Sequence, residues 1–232
     1  MQHDGFDVHT ELVIHNGYKP PGDLTPYEVA RTIATSLRLR VDPTIRLLVE
    51  SGHTLSEIAS VPDREVRLTP IESTRQYIQL ALQTRPSVIE ALAWVRKYWS
   101  NAVSLMASHA DFRLAMEAFE LSTFIPHHAL TLVSLWGALE ALFSPSTSEL
   151  RFRVSVLIAS YVHPPGEERL ALQREIFELY DKRSAAAHGK PKHNIEHLLQ
   201  TFNLIQRVLV RMIEENAVPS KAALNNMLLG TP

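Results

Sequence analysis

The chain has 232 residues, of which 45% are hydrophobic and 21% charged, with a formal net charge of -2 and no cysteine. That composition can bury the core of at least one complete domain and supplies no global positive field, so any site for a polyanion must be a local patch. It also excludes a disulfide scaffold, a thiol nucleophile and a thiolate zinc site, leaving histidine and carboxylates as the only metal ligands.

The opening MQHDGFDVHTELVIHNG lacks a basic start followed by a long apolar run, and no later stretch approaches about 18 uninterrupted apolar residues. The reading is a soluble, cytoplasmic protein with no membrane association. Residues 1–84 read as a small mixed α/β module of unassigned role. The alternation in Val8 to Ile14 and in Arg64 to Leu68 suits short strands. Thr25-Pro26-Tyr27-Glu28 is a capping box with proline at the first helical position, predicting a helix through about Arg40. Pro20, Pro21, Gly22, Pro43, Gly52, Pro62 and Pro70 keep the elements of this module short.

From about residue 85 the pattern becomes helical, and residues 85–232 form the second unit. Ser87-Val88-Ile89-Glu90 is another capping box, followed by Leu92, Val95, Tyr98, Trp99, Ala102 and Leu105 or Met106 at three- and four-residue spacings. Helices are expected over about 110–122, 126–143, 149–162, 167–188, 194–216 and 220–229. The fold class is therefore mainly α, a helical bundle over about residues 85–216 with short connections. Trp94, Trp99 and Trp136 fall on apolar stripes and read as core residues rather than base-stacking platforms.

The helix expected to end at His188 carries Leu172, Ile176, Leu179 or Tyr180, and Arg183 at helical spacing, so its apolar stripe runs directly into an arginine. Gly189 suits the left-handed residue after a helix and Pro191 cannot continue one, placing His188 beside unpaired carbonyls that favour an imidazolium. Five residues separate the two side chains by roughly 140° around a straight helix, so one helix alone does not aim both at one atom. Arg183 could pair with Asp181, Glu178 or Glu140. Glu140 lies on the flank of an almost wholly apolar helix and needs a partner if buried; it could orient Arg183 or His188, or form a structural ion pair. Arg153 is open to two readings, a phosphate contact or an exposed helix position.

Arg183-Ser-Ala-Ala-Ala-His188-Gly189, preceded by Leu179-Tyr180 and lying downstream of Ala138-Leu-Glu-Ala-Leu-Phe143 and the basic helix start at Arg151 to Arg153, resembles the Apea-like HEPN domains of the HEPN superfamily. The resemblance covers about residues 85–216. It implies a HEPN-type bundle that dimerises with the Arg/His helices facing each other. It further implies metal-independent cleavage of single-stranded RNA without a cofactor, in a toxin or antiviral-defence setting with an antitoxin or defence-system partner. On this reading Arg183 and His188 are catalytic, with Glu140, Tyr180, Ser184 and Arg153 supporting, and Lys190, Lys192 and His193 contact RNA. The residue types fit that chemistry. A 2′-hydroxyl attacking the adjacent phosphorus needs proton transfer, which an imidazole supplies, and charge stabilisation, which a planar guanidinium supplies. The alternative is a noncatalytic module for RNA or nucleotide binding, or for dimerisation and protein interaction. Some HEPN toxins carry a tyrosine two residues after the histidine that an antitoxin modifies with nucleotide; Lys190 stands there in this chain.

Two other signals compete. His193-Asn-Ile-Glu196-His197 matches the H-x-x-E-H zinc pattern but sits at a predicted helix start, with Glu214 and Glu215 the only later carboxylates to complete a ligand set. His127 and His128 are adjacent, and neighbouring side chains on a helix diverge by about 100°. No phosphate-cradling glycine loop or nucleophile elbow occurs.

Overall fold

The computed structural model describes residues 8, 10–72, 76–77, 80, 87–143, 149–187 and 194–229. The first helix, α1 (Pro26–Arg40), begins where the Thr25 side chain accepts from the Glu28 N–H and the Glu28 carboxylate accepts from the Thr25 N–H. Just before it, Gly22 has a φ of +63°, and a Cβ built there would come within 3.2 Å of Ala107 Cβ. Glycine therefore suits both the turn and the close approach of this segment to the bundle.

The alternating stretch Val8 to Ile14 is not a strand: its described residues, 8 and 10–14, are irregular. A period-two pattern becomes a strand only where a neighbour accepts its backbone bonds. The strand pair among the described residues lies elsewhere, β1 (Val49–Ser51) running antiparallel to β2 (Leu68–Pro70) with Glu50 opposite Thr69. The strand expected over Arg64 to Leu68 is also shifted, because Asp63–Glu65 form a 3₁₀ turn and pairing begins at Leu68. A single helical turn, α2 (Leu55–Ile58), capped by Thr54 and Glu57, lies between the strands.

No residue between Thr44 and Glu72 is buried, so this stretch is an arm without a core of its own. Polar contacts at its base attach it to α1. The Arg38 guanidinium, 2% exposed, donates to both Glu72 oxygens at 2.6 and 2.7 Å, to the Ile45 carbonyl at 2.8 Å and to Glu120 at 3.1 Å. Leu47 N–H also donates to Glu72, and Arg46 to the Glu72 carbonyl. Arg31 completes the network on the other side of Glu120. A buried arginine is tolerable because two carboxylates and a carbonyl satisfy its donors.

The rest is helical: α3 (Val88–Ser108), α4 (Ala110–Leu121), α5 (His128–Phe143), α6 (Leu150–Val162), α7 (Glu167–Ala187), α8 (Ile195–Glu215) and α9 (Lys221–Leu229). Ser87 and Glu90 form the expected capping box at α3. Helix α5 is central, packing against α4, α6, α7 and α8, while α1 lies along α3 and α9 along α6. Leu132, Leu135, Trp136, Leu139 and Phe143 of α5 are fully enclosed, and Phe119 of α4 stacks on Phe202 of α8 at 4.6 Å between ring centroids. Leu24, Val29 and Leu39 from the α1 region join the same hydrophobic core.

The mainly helical reading is thus observed, with helix bounds within two residues of those expected over the described segments. Trp94 and Trp136 are buried and Trp99 packs against the core, as their stripes predicted. Among the described residues no helix is long and apolar enough to cross a membrane.

Candidate functional site

The last turns of α5 and α7 lie side by side and bring three of the expected residues together. Tyr180 and Arg183 are three apart and therefore share a face of α7. Opposite them stands Glu140, four residues after Trp136 on α5. The Tyr180 hydroxyl donates to Glu140 Oε1 at 2.8 Å, and Arg183 Nη2 lies 3.1 Å from both Glu140 oxygens. Of the partners open to Arg183 in the sequence, Glu140 is the one it pairs with. Asp181 instead accepts from Arg151 of α6, at 2.5 and 2.7 Å.

Burial explains why these groups need one another. Tyr180 is 7% exposed and meets Trp136 edge to face, with ring centroids 5.2 Å apart and planes at 81°. Glu140 and Arg183 keep 19% and 23% of their side chains exposed, so the ion pair sits at the rim of the bundle, partly desolvated and still reachable. The guanidinium carbon lies 5.4 Å from the Tyr180 ring centroid, within cation–π range. Burial pushes the Tyr180 hydroxyl up to about 12. Its hydrogen bond to Glu140 and that carboxylate's charge add to the rise, and Arg183 opposes it. Tyr180 is therefore a proton donor to Glu140 throughout the neutral range.

Two buried donors in this cluster, Arg183 Nε and the Trp136 indole N–H, have no hydrogen-bond partner among the described residues. Buried donors are normally paired, which marks this as a place where the polar network is incomplete.

Ser184 follows Arg183 and is half-buried. Arg153 is exposed on α6, and it is Arg151, two residues earlier, that reaches α7. The Arg151 guanidinium carbon lies 3.8 Å from the Phe177 ring centroid, which with the Asp181 pair ties the start of α6 to α7. Neither Arg151 nor Trp136 was singled out for the site by sequence. The signal for Trp136 was its place one turn before Glu140 on the same helix face.

His188, Lys190, Lys192 and His193 lie outside the described residues. Of the zinc-like pattern, His197 serves as partner in the capping box of α8: its Nδ1 accepts from the Asn194 N–H at 3.1 Å, and its own N–H donates to Asn194 Oδ1 at 3.0 Å. A cation braced at a helix end by a carboxylate and a tyrosine can receive phosphate or carboxylate oxygens through whichever guanidinium donors its brace leaves open.

No family model matches this chain, and no curated protein or solved structure matches it.

Proposed function

We propose that the chain is a metal-independent endoribonuclease of the HEPN type, acting on single-stranded RNA as a homodimer in a toxin or antiviral-defence setting. The observation that supports this most is the bracing of Arg183 by Glu140 and Tyr180 at the rim of the bundle, within the sequence motif that ends in His188. In this reading Arg183 holds the oxygens of the scissile phosphate and offsets the charge that develops as the 2′-hydroxyl attacks phosphorus. His188 moves the protons, accepting one from the 2′-hydroxyl in one protomer and giving one to the leaving 5′-oxygen in the other. By sequence spacing the two side chains would stand roughly 140° apart on one straight helix, so a second copy of the helix would complete the site. Lys190, Lys192 and His193 follow in sequence and would extend the contact along the RNA backbone.

The test is incubation of the purified protein with mixed RNAs in chelator, beside His188→Ala. The expected products carry 2′,3′-cyclic phosphate, DNA is left intact, and His188→Ala loses cleavage while remaining folded. A folded, dimeric His188→Ala variant that cuts at the wild-type rate would overturn the catalytic assignment.

One observation favours a second reading. Arg183 is already neutralised by Glu140, as a purely structural arginine would be. A noncatalytic module for RNA binding, dimerisation or protein interaction would retain or ignore RNA in the same assay without cutting it.

A further inference from the structure

The Glu140 carboxylate does not grip Arg183 as a carboxylate ordinarily grips an arginine. The usual pair is a fork, with one oxygen on Nε–H and the other on Nη2–H, two donors that share one edge of the guanidinium. Here both Glu140 oxygens lie 3.1 Å from Nη2, and Nε is buried with no hydrogen-bond partner among the described residues. The carboxylate straddles a single nitrogen and leaves half of the fork unused.

The reason is visible on the other side of Glu140. Its Oε1 accepts the Tyr180 hydroxyl at 2.8 Å. Tyr180 cannot follow the carboxylate, because its ring is enclosed and set against Trp136. The hydroxyl is thus a fixed point that competes with the guanidinium edge for the same oxygen. Arg183 is held in place, but by the weaker of two available grips.

We infer that Tyr180 is a positioning residue that keeps Arg183 available to an RNA phosphate by restraining Glu140 from closing the full fork. This rests on the reading that Arg183 receives that phosphate. A phosphate offers oxygens at the same spacing as a carboxylate, so the two compete for one guanidinium. Removing the hydroxyl frees Oε1 to swing onto Nε–H, satisfying the orphaned donor and completing the internal pair. The substrate must then displace two charge-assisted hydrogen bonds in place of one.

The experiment is a double-mutant cycle on the full chain, read by fluorescence anisotropy with a labelled single-stranded RNA whose 2′-hydroxyls are methylated to block cleavage. Tyr180→Phe keeps the ring and is expected to weaken RNA binding roughly threefold or more, the scale of a shift in one hydrogen bond. In a Glu140→Gln background, where no charged carboxylate competes, the same change is expected to have no effect. A packing role for Tyr180 does not predict that rescue. Equal weakening in both backgrounds, or no weakening in the presence of Glu140, would overturn the inference while leaving the phosphate-binding reading intact. Arg183→Ala separates the two: if that variant binds the RNA as well as the parent does, the phosphate-binding reading fails and the role of Tyr180 falls with it. Thermal melts of each variant check that the bundle is folded.

Discussion

Arg38 holds Glu72 through both carboxylate oxygens, at 2.6 and 2.7 Å, from a position 2% exposed. The same guanidinium reaches Glu120, 6% exposed, so one side chain joins α1 to the arm and to α4. Arg38→Ala leaves Glu120 buried with Arg31 alone and is expected to cost about 3–5 kcal/mol of stability, as loss of one partner of a buried pair does. Glu72→Ala leaves Arg38 with Glu120 and the Ile45 carbonyl, and is expected to cost less, about 1–3 kcal/mol. Urea unfolding measures both. Limited proteolysis adds a sharper readout: Glu72→Ala should speed cleavage between Thr44 and Glu72 while fragments from the bundle persist.

The capping box at α1 makes a prediction with a defined pH sense. Bonds from the Thr25 N–H and hydroxyl hold the Glu28 carboxyl below its ordinary range. A lowered folded-state value means stability that is present above the unfolded value and lost as pH falls through the folded one. Thr25→Ala removes the side-chain cap on the Glu28 N–H and should cost about 1 kcal/mol near neutrality; it also removes the hydroxyl's bond to the Glu28 carboxylate but not the backbone one, so the difference from the parent should narrow only in part in acid. Unfolding curves of both proteins from pH 7 downward give the comparison.

Tyr180 predicts the opposite sense at high pH. Its hydroxyl is raised from 10.0 to about 12, so the folded state keeps a proton that the unfolded state gives up. That contribution is complete below pH 10 and disappears as pH rises toward 12. Stability of the parent should fall across that window, and Tyr180→Phe should flatten the fall. Urea midpoints measured across the window test it, and equal slopes for the two proteins would contradict it.

For the proposed chemistry, Arg183→Lys is more informative than alanine. Lysine keeps the charge but replaces a planar fork with a point charge. If Arg183 holds two phosphate oxygens in the transition state, the lysine variant should lose turnover on the order of a hundredfold, closer to Arg183→Ala than to the parent. Initial rates of RNA cleavage in chelator decide this. A lysine variant within a fewfold of the parent would mean that general positive charge, and not the fork, is what the site uses.

The parts of this fold legible in the sequence are those set by local rules. Thr25 with Glu28 and Ser87 with Glu90 mark helix starts within four residues of chain, and the stripes through Leu132, Leu135 and Leu139 or through Leu172, Ile176 and Leu179 need only the helical period. Thr54 and Glu57 carry the same local signal for α2, a helix that was nevertheless not anticipated. The failures are nonlocal. Val8 to Ile14 alternates correctly, but a strand also requires a partner that the local pattern does not specify. Arg38 reads as one of several basic residues ending a helix. Its burial follows from meeting Glu72, 34 residues on, and Glu120, 82 residues on. At the candidate site, Arg183 stands out because an apolar stripe runs directly into it, and Glu140 because it lies on the flank of an almost wholly apolar helix. Which acid would pair with Arg183 was decided by the packing of α5 against α7, which leaves Asp181 facing Arg151.

The enclosed indole of Trp136 carries a consequence of a different kind. Trp94 donates to Glu214 and Trp99 is partly exposed, whereas Trp136 is fully enclosed, and its N–H has no acceptor among the described residues. Its excited state is therefore shielded from bulk solvent, and its emission is expected toward the blue of the other two. Because Tyr180 lies against that indole and also holds Glu140, a change in the grip on Arg183 alters the charges nearest the chromophore while the tyrosine ring stays in place. With Trp94 and Trp99 replaced by phenylalanine, the chain would carry its own optical probe of the site, readable without attaching a dye.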